Sequence, residues 1–233
     1  MKAVILAAGV GSRLGELTID KPKALLEIHG TPLIDYQIDL LIHNGFVYED
    51  IYIVSGYESS TMGYLFAKGI NEIYNAEYET KNNIYSLYLV KYLKDDILIV
   101  NSDVYFHQNI LKIFLESGND TAISVDMVKE LGDEEMKVIL DRENVLRRIG
   151  KELDPGLANG EYIGISRISL DDSALLYSSI ETLLSNGNEH YWYEHAFQEM
   201  VDRGGKILGV ETEGYPWIEI DTVEDYEKSQ SIL

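Results

Sequence analysis

Short apolar runs separated by longer mixed segments set the rhythm of the first half of the chain. Ala3–Leu6, Ile51–Val54, Ile97–Val100 and Ala122–Val125 are largely apolar or β-branched and are bounded by polar or turn-forming residues, the pattern of buried strands. Segments with helical spacing lie between them. Leu33–Ile42 is opened by Thr31-Pro32 and closed near Asn44-Gly45, and Ile84–Leu93 and Ile110–Leu115 follow. This alternation predicts a three-layer α/β fold around a mainly parallel twisted sheet, with ligands over the carboxyl ends of the strands. From Met136 the rhythm changes. Lys137–Leu140 and Tyr162–Ile168 read as strands, Asp171–Leu184 and His190–Met200 as helices, and Pro216–Ile220 as a last strand before a helix starting near Thr222.

No Pro/Ser-rich linker, repeat or low-complexity tract divides the 233 residues, so the pattern predicts one domain over 1–233 with a small inserted region in its second half. A chain of this length buries about 70–75% of its unfolded surface. With 45% hydrophobic and 25% charged residues the composition is that of a soluble globular protein, and no apolar run approaches the ~20 residues of a membrane span. A membrane partner is therefore not expected. The N-terminal apolar run is short for a signal peptide and has no cleavage site. Zero cysteines exclude disulfides and thiolate metal sites, and the expected compartment is cytoplasmic. The oligomeric state is left open.

A formal net charge of −21 argues against nucleic acid as a partner, because backbone phosphates need clustered Lys and Arg. An anionic small molecule remains compatible if the few bases converge on one site and a divalent cation neutralises the rest. The five histidines show no metal spacing, since His190 and His195 fall on different helix faces.

Bases do converge in the first 25 residues. Lys2–Leu6 runs into Ala7, Ala8, Gly9 and Gly11, which strip the next loop of side chains so that backbone N–H groups can approach an anion. Arg13 and Lys23 add charge, and Pro22 fixes the chain just before Lys23. This is neither a Walker A loop nor a dinucleotide fingerprint. The set Leu6, Ala7, Ala8, Gly9, Gly11, Arg13 and Leu14, then Lys21, Pro22, Lys23 and Leu25, resembles the nucleotidyltransferases that join NTPs to phosphorylated small molecules, whose signature runs LAAGxGxRL and, further on, PK.

The resemblance implies a Rossmann-like nucleotidyltransferase fold, with a nucleotide-binding half near 1–130 and an acceptor-binding and lid half near 131–233. It implies that Leu6 to Gly9, Gly11, Ser12 and Arg13 bind the nucleotide, Arg13 at the β and γ phosphates, and that Lys23 neutralises the transferring phosphoryl group. A segment Lys81-Asn82-Asn83-Ile84-Tyr85-Ser86-Leu87 is similar to one in bacterial CTP:phosphocholine cytidylyltransferases, where Asn83 and Ser86 would lie near nucleotide and substrate. The implied reaction joins CTP to a phosphorylated small alcohol, phosphocholine first. Inositol 1-phosphate, a sugar 1-phosphate or a phosphonate is the alternative acceptor, and an idle nucleotide-binding domain is the reading from another class.

Two acid-bearing strand ends complete the candidate chemistry. Ile97–Val100 runs into Asn101-Ser102-Asp103, and Trp217-Ile218 into Glu219-Ile220-Asp221-Thr222; alternation along a strand puts Glu219 and Asp221 on one side. Hard oxygen ligands of this kind suit Mg2+, and in the family the corresponding acids are the metal ligands, although Ser102 stands where glycine is usual. Asp103 as a turn cap, Glu219 as surface charge and Asp221 as the N-cap of the last helix are the competing readings. Lys137 and Lys151 resemble acceptor-phosphate positions or are surface bases, and Glu161 and Gly164 resemble the acceptor segment. Tyr191, Trp192, Tyr193 and Trp217, with Glu161 and Glu194 as counter-charges, can form a quaternary-ammonium site or simply pack.

Overall fold

The computed structural model describes residues 1–232. No helix among them is long and apolar enough to cross a membrane. In chain order the first half contains β1 (Lys2–Ala7), β2 (Glu27–Ile28), β3 (Thr31–Pro32), α1 (Leu33–His43), β4 (Ile51–Ser55), α2 (Gly63–Phe66), β5 (Asn71–Tyr74), α3 (Asn83–Leu89), β6 (Ile97–Asn101), β7 (Val104–Phe106), α4 (Gln108–Glu116) and β8 (Ala122–Asp126). The second half contains β9 (Lys137–Leu140), β10 (Leu146–Gly150), β11 (Gly160–Ile168), α5 (Leu170–Ser185), α6 (Glu194–Asp202), β12 (Leu208–Glu211), β13 (Trp217–Glu219) and α7 (Val223–Ser229).

The main sheet has the order β10-β9-β11-β6-β1-β4-β5, with β8 on β11 and β12 on β8. Its nucleus is parallel: Ile5 of β1 lies between Val100 of β6 and Ile53 of β4. β11 then joins β6 antiparallel, Ile165 opposite Val100, and so ties the second half of the chain to the first.

Both faces of β1 are covered, which is why its sequence is a continuous apolar run rather than an alternating one. Ala3, Ile5 and Ala7 pack with Ile34, Ile38 and Leu41 of α1 and with Phe114 of α4, whereas Val4 and Leu6 pack with Ile84 and Leu87 of α3 and with residues of α5 and α6. Each fully buried Leu, Ile or Phe contributes about 1.5–3 kcal/mol, so this two-sided burial holds the carboxyl end of β1 rigidly in place.

Three expectations change. The helix expected from His190 begins only at Glu194, because Asn82 and Asn83 hold the preceding segment: Asn82 N–H donates to the Glu189 carbonyl (2.8 Å), Asn82 Nδ2 to the His190 carbonyl (3.1 Å), and Asn83 Oδ1 accepts from Tyr193 N–H (2.9 Å). The helix expected to reach Leu93 ends at Leu89 and gives way to turns. The last strand, expected over Pro216–Ile220, spans only Trp217–Glu219 and forms a two-stranded antiparallel ribbon with β7, outside the main sheet.

Candidate active site

The glycine-rich loop leaves β1 at Ala7. Gly11 adopts φ 67°, ψ 35°, a left-handed conformation that L side chains resist, and a Cβ there would stand 3.2 Å from Lys23 Cβ. The glycine therefore lets the Lys23 turn close onto the loop. Pro22 is extended at φ −66°, and Lys23–Leu25 form a 3-10 turn in which Leu26 N–H donates to the Lys23 carbonyl, so the lysine projects from a fixed backbone.

The ribbon that displaced the last strand from the main sheet assembles the acids. Glu219 pairs with Val104, and Ile220 N–H donates to the Asp103 carbonyl at 2.9 Å, which places the Glu219–Asp221 segment beside Asp103. Asp221 is not the helix cap. Thr222 caps α7 through Asp225 in a reciprocal capping box, which frees the Asp221 carboxylate for other partners. Oxygens of Asp103, Glu219 and Asp221 lie within 4.8 Å of one another.

Two bases enter this cluster. Lys23 Nζ is 2.8 Å from Asp103 Oδ2 and 2.7 Å from Asp221 Oδ1, and Arg13 donates to Asp221 Oδ2 at 2.6 Å. Burial disfavours the charged form of Asp221, yet the neighbouring Lys23 and Arg13 outweigh it and hold its carboxyl below the ordinary range. Glu219 behaves oppositely: enclosure by protein, then the charges of Asp103 and Asp221, push its carboxyl well above that range. Asp103 Oδ1 is buried without a hydrogen-bond partner. A buried orphan oxygen beside two further carboxylates is a donor set that fits a hard divalent cation, and Asp103, Glu219 and Asp221 are the residues that would hold one.

These groups share a 340 Å³ cleft. Leu6, Ala7, Ala8, Gly9, Gly11, Ser12 and Arg13 line it together with Lys23, Asn83 and Ser86. The three acids, Lys151, Gly164 and Glu194 line it as well. Asn75 also lines the cleft and was missed in the sequence; it is buried, and its Nδ2 donates to Ser86 Oγ at 3.1 Å. Its position at the carboxyl end of β5 is the signal that would have found it. Asn101, at the end of β6, was missed in the same way.

A family model, described as the MobA-like NTP transferase domain, matches residues 3–152. The chain belongs to this family. The NTP transferase is 32% identical to a choline-phosphate cytidylyltransferase of Streptococcus pneumoniae, over all of this chain and 98% of that protein. It is 27% identical to a CTP:phosphoglutamine cytidylyltransferase of Campylobacter jejuni, over 97% of this chain and 98% of that one. The solved structure of CTP:phosphocholine cytidylyltransferase from Streptococcus pneumoniae superposes with a TM-score of 0.85 at 28% identity, covering 99% of this chain and 98% of that chain. The chain is thus a nucleotidyltransferase with the mixed α/β fold, central mostly parallel sheet included, that its sequence implied.

Four residues expected at the acceptor of this NTP transferase stand elsewhere or are already engaged. Tyr193 is fully buried, its hydroxyl 2.7 Å from Tyr162 Oη and 2.9 Å from Asn101 Oδ1, so it is core rather than the wall of an ammonium cage. Trp217 and Glu161 line a neighbouring 630 Å³ cavity that meets the cleft at Arg13, Lys151, Glu219 and Asp221. There the chain's own Lys129 fills the space between them, 2.8 Å from Glu161 Oε2 and 5.1 Å from the Trp217 ring centre. Burial pushes the Glu161 carboxyl up, although Lys129 opposes the shift.

Lys137 is the fourth. It is wholly buried, and its Nζ donates to the carbonyls of Gly132, Asp133 and Glu135 at 2.9, 3.0 and 3.2 Å. The ammonium pins the loop before β9 and does not reach the cleft. Lys137→Met is expected to destabilise the fold by about 1–3 kcal/mol, since three carbonyls lose their donor, while KM for the acceptor moves less than twofold. Urea unfolding and steady-state kinetics check the two halves.

Glu194 and Trp192, by contrast, do line the cleft. Glu194 opens α6, is buried, and leaves Oε2 without a partner. Burial first, and the charge of Asp103 in addition, push its carboxyl up to about 7 against the pull of Lys151. Trp192, partly exposed in the same cleft, has Lys151 Nζ 5.1 Å from its ring centre.

Proposed function

We propose that the protein transfers a cytidylyl group from CTP to a phosphorylated small alcohol, phosphocholine first, with Mg2+ as the metal. The observation that carries this reading is the convergence of Lys23, Asp103, Glu219 and Asp221 at the mouth of the glycine-rich loop, with Lys151 beyond them. An oxygen of the acceptor phosphate attacks the α-phosphorus, the bond to the β-phosphate oxygen breaks, and pyrophosphate leaves. Lys23 neutralises the α-phosphate as charge builds there, Arg13 holds the β and γ phosphates, and Lys151 positions the acceptor phosphate. Asp103, Glu219 and Asp221 would hold the divalent ion, which would supply further charge neutralisation for the phosphates.

The names of the relatives favour CTP, and the chemistry of Glu194 and Trp192 favours a cationic tail. A buried carboxylate with an unused oxygen, in a cleft that Trp192 also lines, suits an ammonium once Lys151, which stands 5.1 Å from that ring, moves to the acceptor phosphate. That preference separates phosphocholine from inositol 1-phosphate and sugar 1-phosphates, which carry no cation.

Pyrophosphate release with Mg2+ tests the reading, with each of the four NTPs set against phosphocholine, phosphoethanolamine, 2-aminoethylphosphonate, phosphoglutamine, inositol 1-phosphate and glucose 1-phosphate. Turnover with CTP and phosphocholine at a kcat/KM at least tenfold above every other pair is expected. Turnover with a neutral acceptor alone would remove the cation site, and no turnover with any pair would leave an idle nucleotide-binding domain.

A further inference from the structure

Lys23 occupies the place that a cation bound to the acid cluster would take. Its ammonium bridges Asp103 Oδ2 at 2.8 Å and Asp221 Oδ1 at 2.7 Å, and Arg13 takes the second oxygen of Asp221 at 2.6 Å. Lys23 is largely buried, at 14% side-chain exposure, and stands on the rigid Pro22 turn. Carboxylates held this close repel one another, and removing a buried charge from its partner is costly, so this ammonium, together with Arg13, holds Asp103 and Asp221 in place without added ions.

The same ammonium is the group required at the α-phosphate. Two of its three N–H donors are held by the carboxylates, so only one is left for a phosphoryl oxygen until one of those contacts is released. A divalent ion can take the unpartnered Asp103 Oδ1, but both Asp221 oxygens are already held by Lys23 and Arg13, so at Asp221 it competes with the ammonium directly. We infer that Lys23 is the resident counter-ion of the metal site and is displaced onto the nucleotide when the metal enters, so that the nucleotide-free protein is nearly closed to divalent ions. The inference rests on the reading that these three acids hold a metal. It assigns Lys23 a positioning role in addition to its contact with the phosphoryl group: it couples metal loading to nucleotide loading. When pyrophosphate leaves, Lys23 returns to Asp103 and Asp221.

The coupling is thermodynamic and therefore visible without turnover. Mn2+ is titrated into the nucleotide-free protein and the free-ion EPR signal is followed. Lys23→Met is expected to bind Mn2+ at least tenfold more tightly than the wild type, whereas Lys23→Arg, which keeps the charge, stays as weak as the wild type. Equal Mn2+ affinity in the wild type and Lys23→Met would overturn the inference and leave the metal site standing. No protein-bound Mn2+ in any variant, even with CTP present, would overturn the metal reading itself, and the inference with it.

A second measurement needs no variant, in case Lys23→Met does not fold. Brief acylation of the wild type with acetic anhydride, read by mass spectrometry, reports how accessible the Lys23 amine is. At Mn2+ concentrations that saturate the protein by EPR, Lys23 acylation is expected to rise at least threefold over a sodium control of equal ionic strength. Unchanged protection at full occupancy would show that Lys23 and the metal are bound together, contrary to the inference.

Discussion

Lys23→Ala is expected to lower kcat for pyrophosphate release by about 10² to 10³ while KM for CTP changes by far less, the magnitude typical of losing one preorganised group at a developing charge. The expectation follows from where the side chain is held. Its backbone is fixed by Pro22 and by the closure of Gly11 onto the same turn, so the ammonium is preorganised rather than recruited from solvent. Burial alone would lower the Lys23 pKa, but Asp103 and Asp221 outweigh it and hold it above the ordinary lysine value, so the group is an ammonium at neutral pH. The lost rate therefore reports lost charge and not a shifted titration. Circular dichroism and denaturant unfolding separate this from loss of fold, and a variant that keeps near-normal kcat would remove Lys23 from the chemistry.

Glu194 should contribute a fall in stability as pH rises from about 4.5 to about 7, and Glu194→Gln should remove that contribution. In the unfolded chain this carboxyl ionises near its ordinary value of 4.5, whereas burial and the charge of Asp103 raise it to about 7 in the fold. Between the two values the folded state holds a proton that the unfolded state has released, so each step up in pH favours unfolding. Below 4.5 both states are protonated and the contribution is absent; above 7 the full penalty applies. Gln cannot ionise, so it should match the wild type at pH 4 and exceed it at pH 8 by on the order of 3 kcal/mol, an upper bound for a group that relaxes or takes up water. Urea unfolding of both proteins at several pH values checks this. Parallel curves would mean that Glu194 ionises in the fold as readily as in water, and its place as a waiting partner for a cation would be lost.

The loop at the head of the chain was readable because everything it needs is local. A four-residue apolar core segment, two small residues, two glycines and a proline-fixed lysine impose the strand, the left-handed turn and the projecting base without help from distant residues. Asp103 was readable for the same reason, as an acid just past the end of a buried parallel strand.

The acceptor end was less readable, because there the same residue types are used for packing. Tyr193 and Trp192 are neighbours in sequence and equally aromatic, but Asn83 holds the Tyr193 backbone so that its ring enters the core, while Trp192 stays at the cleft. Lys137 and Lys151 are both lysines beside short strands; three loop carbonyls capture the first, and the second reaches the cleft. Composition and spacing contain no trace of that difference, since it depends on carbonyls that a separate loop presents.

Periodicity and local turn chemistry were sufficient for the layered α/β architecture, the phosphate-type loop and the identity of the acids, since short-range backbone preferences and alternating burial act within a few residues. The tertiary structure alone brought the acids together. Glu219 and Asp221 reach Asp103 through an antiparallel ribbon with β7, outside the main sheet, and Thr222 takes over the cap that would have occupied Asp221. Pairing between segments more than a hundred residues apart is decided by which strand edges and hydrogen-bond partners remain open once the sheet has formed, and that is a property of the whole fold.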